Sequence, residues 1–212
     1  MNRTFVAFSG AAALGFSACN AIAPTTVGTG HATTQQYDTV IEKCKAVFIA
    51  KTKDYGTAWR VLRTISVRDQ IYIKAQRIRT IQEKGTQKVG DAIDGEFMGI
   101  INYAIIGNIQ LLLPEDAPEE LTVDETTKLY EEQAERARRL MLDKNHDYGE
   151  AWRSMSLESF VDLILMKLMR IRQIVTNDGK TLISEGLDAN FYDILNYAVF
   201  ALILMQEKTE AA

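Results

Sequence analysis

Acidic residues recur twice along this chain at a spacing that could hold a metal ion. An acid-x-x-Asp pattern occurs as Asp91 with Asp94 and again as Glu185 with Asp188. Residues three apart on a helix lie on one face, a turn from each other, so each pair can present two carboxylates together. Hard divalent cations such as Mg²⁺ prefer carboxylate oxygens as ligands. The alternative is an ordinary solvated helix face.

Basic residues recur upstream of each acidic pair, again three positions apart. They are Lys74 with Arg77, and Lys167 with Arg170. An arginine can bond two phosphate oxygens at once and a lysine offers a compact charge, so these pairs are suited to phosphate. Their other role would be to pair with the acids of the following helix, and exposed pairs of that kind contribute roughly 0–1 kcal/mol.

A motif with two aromatic residues also occurs twice. The pattern Asp-Tyr-Gly-x-Ala-Trp-Arg occupies residues 54–60 and 147–153, so its copies lie 93 residues apart. Its aromatic side chains could stack on a nucleobase, or they could close the end of a helical bundle. These residues are Tyr55, Trp59, Tyr148 and Trp152.

The repetition extends well beyond this motif and indicates two tandem copies of one small domain. After a one-residue insertion the offset becomes 94, and Asn-Tyr-Ala at 102–104 matches 196–198. Units of roughly 80–90 residues bury a limited core. We therefore expect the copies to pack against each other as a pseudo-dimer about a pseudo-twofold axis. Further matched pairs are Lys51/Lys144, Asp69/Asp162 and Arg79/Arg172.

Apolar residues recur at helical intervals throughout, and no stretch alternates strictly, so the predicted class is all-α. We expect three helices in each copy. The second helices are predicted at 66–82 and 159–175, and the third at 90–113 and 184–207. Capping boxes are predicted at Ser66, Thr122 and Ser159. Gly56 and Gly149 should provide the turns that end the first helices.

Domain boundaries follow from the repeat and from the prolines. Residues 1–32 have no counterpart in the second copy and form an N-terminal extension. The first repeat spans 33–113 and the second 122–208. Two of the three prolines lie between them and mark 114–121 as a linker.

The third helix carries a polar face that is repeated in both copies. Asn102 and Asn196 lie on the same side as the acidic pairs, within otherwise apolar runs. A buried asparagine needs partners, which the carboxylates or a ligand would supply. Asp193 adds a further acid in the second copy, where the first copy has Gly99. A functional and a structural role for this face both remain open.

Bulk composition excludes several classes of function. A net charge of −4 argues against a nucleic-acid backbone as partner, because binding phosphates of a duplex requires a basic surface. The two cysteines, Cys19 and Cys44, belong to no zinc or disulfide spacing. The apolar run that begins at Thr4 is too short to span a bilayer, and no transmembrane helix is expected.

At this point the residues resemble a known family. The order Lys-x-x-Asp-Tyr-Gly-x-Ala-Trp, then Lys-x-x-Arg-Ile, then acid-x-x-Asp-x-x-Phe-x-x-Ile-x-Asn-Tyr-Ala is similar to the nucleotide modification associated domain of type 1. The resemblance covers residues 36–112 and 125–206. It implies a helical bundle distantly related to the all-α, MazG-like nucleoside triphosphate pyrophosphohydrolases, which hold Mg²⁺ with acids on two neighbouring helices.

Carried onto this sequence, the resemblance implies roles for particular residues. Metal ligands would be Asp91, Asp94, Glu185, Asp188 and Asp193, and catalytic carboxylates would be Glu158 and Asp162. Nucleotide-binding residues would be Lys74, Arg77, Asn102, Tyr55 and Trp59, with Lys167, Arg170, Asn196, Tyr148 and Trp152 in the second copy. The second copy is the expected metal site, because Glu158 and Asp193 correspond to Ile65 and Gly99.

The expected function is therefore Mg²⁺-dependent binding of a nucleotide, with hydrolysis of a nucleoside triphosphate to release pyrophosphate. The alternative is a non-catalytic helical module for binding or interaction, and a homo-oligomer is compatible with either. Nucleoside triphosphates and Mg²⁺ favour a cytoplasmic location. The segment ending at Cys19 has the pattern of a lipoprotein signal, so an exported lipoprotein is the alternative.

Overall fold

The part of the chain that the structure describes folds into six α-helices, three from each copy. A computed structural model describes residues 29–88, 90, 92–181 and 185–210, and no strand occurs within these ranges. The helices are α1 (Thr29–Tyr55), α2 (Thr64–Lys84), α3 (Ile93–Leu112), α4 (Val123–Tyr148), α5 (Leu157–Thr176) and α6 (Leu187–Glu210). The all-α prediction and the tandem arrangement are thus confirmed. Cys19, Asp91 and the predicted extension before residue 29 lie outside the described residues.

The repeated motif forms the same local structure in both copies. Gly56 and Gly149 follow α1 and α4 with φ of 62° and 59°, a region that glycine adopts without steric cost. Each glycine N–H donates to a carbonyl of the preceding turn. A short 3-10 turn follows in each copy, Ala58–Val61 and Ala151–Ser154. The prediction that these glycines end the first helices is confirmed.

The predicted helix starts were only partly right. Thr122 forms the expected capping box, in which its side chain accepts from the Glu125 backbone N–H and Glu125 accepts from the Thr122 backbone N–H. The boxes at Ser66 and Ser159 are wrong, because both residues lie inside helices that begin earlier. Ser156 caps α5 instead, by accepting from the Ser159 N–H. The same residue spacing also occurs within a helix, so it does not identify a start by itself.

The two copies share one hydrophobic core. Helix α3 packs against α6 and α2 against α5, which joins the copies through a central group of four helices. Helices α1 and α4 pack against each other, and each of them also contacts both α3 and α6. The first helix of each copy thus contacts the third helix of the other, and the core residues form a single cluster. These reciprocal contacts give the pseudo-dimer its internal symmetry.

Helix α6 contains a long apolar stretch. Its length and mean hydropathy of 1.3 over one window would allow it to cross a membrane by composition alone. However, 78% of that window is buried inside the protein. Its apolar composition is therefore accounted for by its position between α3 and α5 in the core.

Candidate functional site

The motif of the first copy borders an open cavity of about 430 Å³ between α1, α2 and α3. Trp59 and Phe48 form part of its wall, with ring centroids 6.4 Å apart and planes tilted by 40°. Tyr55 lies at the rim and is 72% exposed. The charged residues among those that line the cavity are Lys51 and Lys74, and no carboxylate is among them. The cavity is therefore suited to a ligand with an aromatic ring and a negative charge.

The two lysines of this cavity differ in how they are paired. The Lys74 ammonium lies 3.1 Å from Glu96, whose other oxygen accepts from Arg77 at 2.5 Å. Burial opposes ionisation of Glu96, but these two hydrogen bonds outweigh it and lower the pKa of the carboxyl. Lys51 makes no ion pair with any residue of the described chain and is exposed. One positive charge at the cavity thus remains unneutralised.

The second copy has a carboxylate at the corresponding place. Asp193 is 6% exposed, accepts from Lys144 at 2.5 Å and also bonds Lys167. These lysines are the counterparts of Lys51 and Lys74. Burial acts to lower the pKa of Lys144, but the hydrogen bond to Asp193 and the negative charges nearby together outweigh it and raise the pKa. Asp193 therefore acts here as a partner of two cations.

The second tryptophan is also covered by a side chain of its own copy. Trp152 is 6% exposed and stacks on Phe200, with ring centroids 4.3 Å apart and planes only 6° from parallel. The Arg153 guanidinium lies 4.4 Å from the centroid of Trp152. Phe200 corresponds to Ile106 in the first copy, which lines the cavity beside Trp59. Tyr148 remains 72% exposed, like Tyr55.

The two repeated asparagines connect the copies. Tyr37 donates to the Oδ1 of Asn196 at 2.8 Å, and Tyr130 donates to the Oδ1 of Asn102 at 2.9 Å. Each asparagine also donates to a backbone carbonyl of the first helix of its own copy. Asn102 additionally lines the cavity. Asn196 is buried and Asn102 half-buried, and the partners that both amides require are protein groups.

Apart from Asp193, the described carboxylates expected to bind Mg²⁺ or to act in catalysis are exposed. Glu185 lies before α6, 65% exposed and 3.9 Å from Lys167, and Asp188 is exposed in the first turn of α6. Asp162 is 62% exposed and 3.9 Å from Arg79, while Glu158 is exposed at the start of α5. The Asp94 carboxylate accepts from the Gly95 N–H.

No group of three acidic, histidine or cysteine side chains within the described residues is arranged to hold a metal. Asp193 is already neutralised by two ammonium groups, which would also repel a cation. The residues as placed do not fit a Mg²⁺ ion, and Mg²⁺ binding stays a prediction. Arg170 forms no ion pair with another described residue, whereas its counterpart Arg77 does.

Sequence reasoning missed four residues that shape these two sites. Lys51 and Lys144 were recognised as a repeated pair but not as site residues, although their repetition was the available signal. Ile106 and Phe200 gave no signal, because both are apolar residues in an apolar run. Their importance depends on the tryptophan that lies opposite, which only the fold shows.

The fold and the cavity define a class: an all-α protein of two fused copies, with an open cationic and aromatic cavity in the first copy. The family model of nucleotide modification associated domain 1 matches residues 51–111 and 144–205, which is more than half of the chain. The chain belongs to this family. No curated protein and no solved structure matches the chain. Similarity to the pyrophosphohydrolases stays a prediction.

Proposed function

We propose that this protein binds a nucleotide in the cavity of the first copy. The observation that carries the proposal is the lining of that cavity, which combines a tryptophan with two lysines and no carboxylate. The phosphates lie toward Lys51 and Lys74, and the base lies beside Trp59. Membership of a family described as nucleotide modification associated supports a ligand of this class.

The residues that line the cavity can bind both the phosphate and the base of a nucleotide. Lysine ammonium groups bind phosphate as compact charges, and a tryptophan face stacks well on a flat ring. A volume of about 430 Å³ falls within the range of roughly 300–1,000 Å³ that is usual for small-molecule sites. The chain as a whole is acidic, with a net charge of −4, so the local positive charge directs an anion to this place.

We also propose that the protein hydrolyses the bound nucleotide, and this step rests on the family resemblance. A Mg²⁺-dependent pyrophosphohydrolase would release pyrophosphate from a nucleoside triphosphate. Binding by the two lysines requires no metal, so binding and hydrolysis are separable. The alternative, a non-catalytic helical module, would bind no nucleotide or would bind one without converting it.

Calorimetric titration with nucleoside mono-, di- and triphosphates tests the binding. Lys51→Gln should weaken binding about tenfold or more, because a hydrogen bond to a charged group contributes roughly 1.5–3 kcal/mol. Lys144→Gln is the matched control, since Lys144 already pairs with Asp193, and it should leave nucleotide affinity unchanged. Equal losses in both variants, or no binding to any nucleotide, would contradict the proposal.

Product analysis tests the hydrolysis with the same protein. Nucleoside triphosphates are incubated with Mg²⁺ or with a chelator, and released phosphate and pyrophosphate are measured. Release of pyrophosphate only in the presence of Mg²⁺ would establish that the protein is a Mg²⁺-dependent pyrophosphohydrolase. Tight binding with no turnover of any nucleotide establishes a binding module instead.

A further inference from the structure

We infer that the second copy is closed by its own side chains, which occupy the positions that a ligand takes in the first copy. The Asp193 carboxylate stands in for the anion of the ligand, and the Phe200 ring stands in for its flat ring. The protein then has one ligand site rather than two. This inference rests on the proposed function and adds to it the orientation and the number of the ligands.

The cationic and aromatic residues of the site are the same in the two copies. Lysines occur at 51 and 144 and at 74 and 167, and tryptophans at 59 and 152. Several positions that line the cavity differ between the copies, and two of them concern the anion and the ring: Gly99 corresponds to Asp193, and Ile106 to Phe200. In each case the second copy has the larger side chain. The cavity of the first copy is lined by both smaller residues.

The anion position is defined by the lysines around Asp193. Its two carboxylate oxygens accept from Lys144 and Lys167, one each. At Gly99 the carboxylate is missing, and a Cβ there would lie 2.7 Å from the Cε of Lys74. Lys74 therefore lies over the space that an aspartate would use, and its flexible end can move to receive an anion.

A carboxylate also changes position between the copies. Glu96, which pairs with Lys74, lies one turn before Gly99, and its counterpart in the second copy is Asn190. The first copy thus keeps a partner for the lysine, but places it away from the cavity lining. Lys51 is left without an ion-pair partner in the described chain, and an anionic ligand would supply one.

The ring position is defined by Phe200. Its nearly parallel stack on Trp152 is the arrangement that a nucleobase takes on an aromatic side chain. Trp59 instead has Phe48 at 6.4 Å, tilted by 40°, and no ring of another described residue is stacked on it. The shorter Ile106 leaves this space to a ligand.

The spacing of Asp193 and Phe200 indicates how far apart the anionic group and the ring of the ligand lie. Asp193 and Phe200 are seven residues apart on α6, which corresponds to a rise of roughly 10 Å. A matching ligand has a flat ring joined by a spacer to an anionic group at a distance of that order. A nucleotide has this composition, with its sugar as the spacer.

Rescue by a small anion tests the anion position without any nucleotide. Asp193→Gly should lower the melting temperature, because Lys167 is 5% exposed and would lose its partner. Sodium formate should restore part of that loss relative to sodium chloride at equal ionic strength. Asp193→Asn is the control: it also removes the charge but fills the space, so formate should not rescue it. Equal responses of the two variants would overturn the inference.

Counting bound nucleotides tests the number of sites. The wild-type protein should bind one nucleotide per chain, and Asp193→Gly combined with Phe200→Ile should bind two. Two per chain in the wild type, or one in a folded double variant, would overturn the inference. If no nucleotide binds either protein while formate still rescues Asp193→Gly, the proposed function fails and the anion position stands.

Discussion

Glu96 holds two cations of α2 at the edge of the cavity. Its side chain is only 12% exposed and bonds both Lys74 and Arg77. Because these bonds lower the pKa of the carboxyl below its ordinary value, the folded protein keeps Glu96 ionised in mild acid. Glu96 thereby fixes Lys74 at the site while leaving the cavity lining free of acid.

The acid sensitivity of the protein should depend on Glu96. A carboxyl whose pKa is lowered by folding contributes stability above its unfolded pKa and loses it as the pH falls through its folded pKa. We expect the free energy of unfolding to fall below about pH 4.5, and Glu96→Gln to reduce that fall. At pH 7 the substitution should cost about 1.5–3 kcal/mol.

Urea unfolding from pH 3 to pH 7 measures this effect. Glu185→Gln is the matched control, because Glu185 is 65% exposed and 3.9 Å from Lys167. It should cost less than about 1 kcal/mol at pH 7. If the free energy of unfolding of Glu96→Gln fell as steeply below pH 4.5 as that of the wild type, the pairing with Lys74 and Arg77 would contribute little.

Individual site residues could be found from the sequence more easily than their partners. The repeat identified Lys74, Lys167 and both tryptophans, because it compares the chain with itself. The family resemblance assigned Asp193 to a metal, since carboxylates on one helix face suit a cation. The lysine of α4 that bonds Asp193 comes from 49 residues away. Helical periodicity shows which face a residue lies on, but not which element packs against that face.

The positions of the helices could be predicted from the sequence better than any other feature of the fold. Apolar periodicity located all six, since each buries one face against the shared core. Their starts were less certain. Ser-x-x-Asp spacing at Ser159 suggested a cap two residues inside the actual helix, whereas Thr122 has a true capping box. The start of a helix depends on the extended backbone before it, which residue spacing alone does not define.

The cap of α4 should contribute measurably to stability. Thr122→Ala removes the side-chain oxygen that accepts from the Glu125 N–H, and should cost about 0.5–2 kcal/mol. Ser66→Ala is the control, because Ser66 lies inside α2 and should change the free energy of unfolding by less than about 0.5 kcal/mol. Thermal unfolding of both variants measures the difference. A larger cost at Ser66 would contradict the assigned helix start.

At the scale of the whole molecule, neither copy is complete alone. Asn102 and Asn196 each accept a hydrogen bond from a tyrosine of the other copy, and the copies share one core. Separation would expose that core and break both tyrosine–asparagine bonds. Burial raises the pKa of both Tyr37 and Tyr130, so these hydroxyls remain neutral donors well into the alkaline range.

A fragment containing one copy should therefore not fold as a monomer. We expect residues 114–212 alone to be largely unfolded or to self-associate, and to gain helix when mixed with residues 29–113. Circular dichroism and sedimentation of the separate and mixed fragments measure this. A monomeric fragment with a cooperative unfolding transition would contradict the shared core.

The exchanged tyrosine–asparagine bonds have a consequence for how such a protein can diverge. If two separate, identical chains made the same bonds, every substitution would appear on both sides of the assembly. Filling one cavity would then fill the other. Joining the copies in one chain removes that constraint, because Gly99 and Asp193 are encoded separately. One half can keep an opening while the other half becomes a permanent support for it.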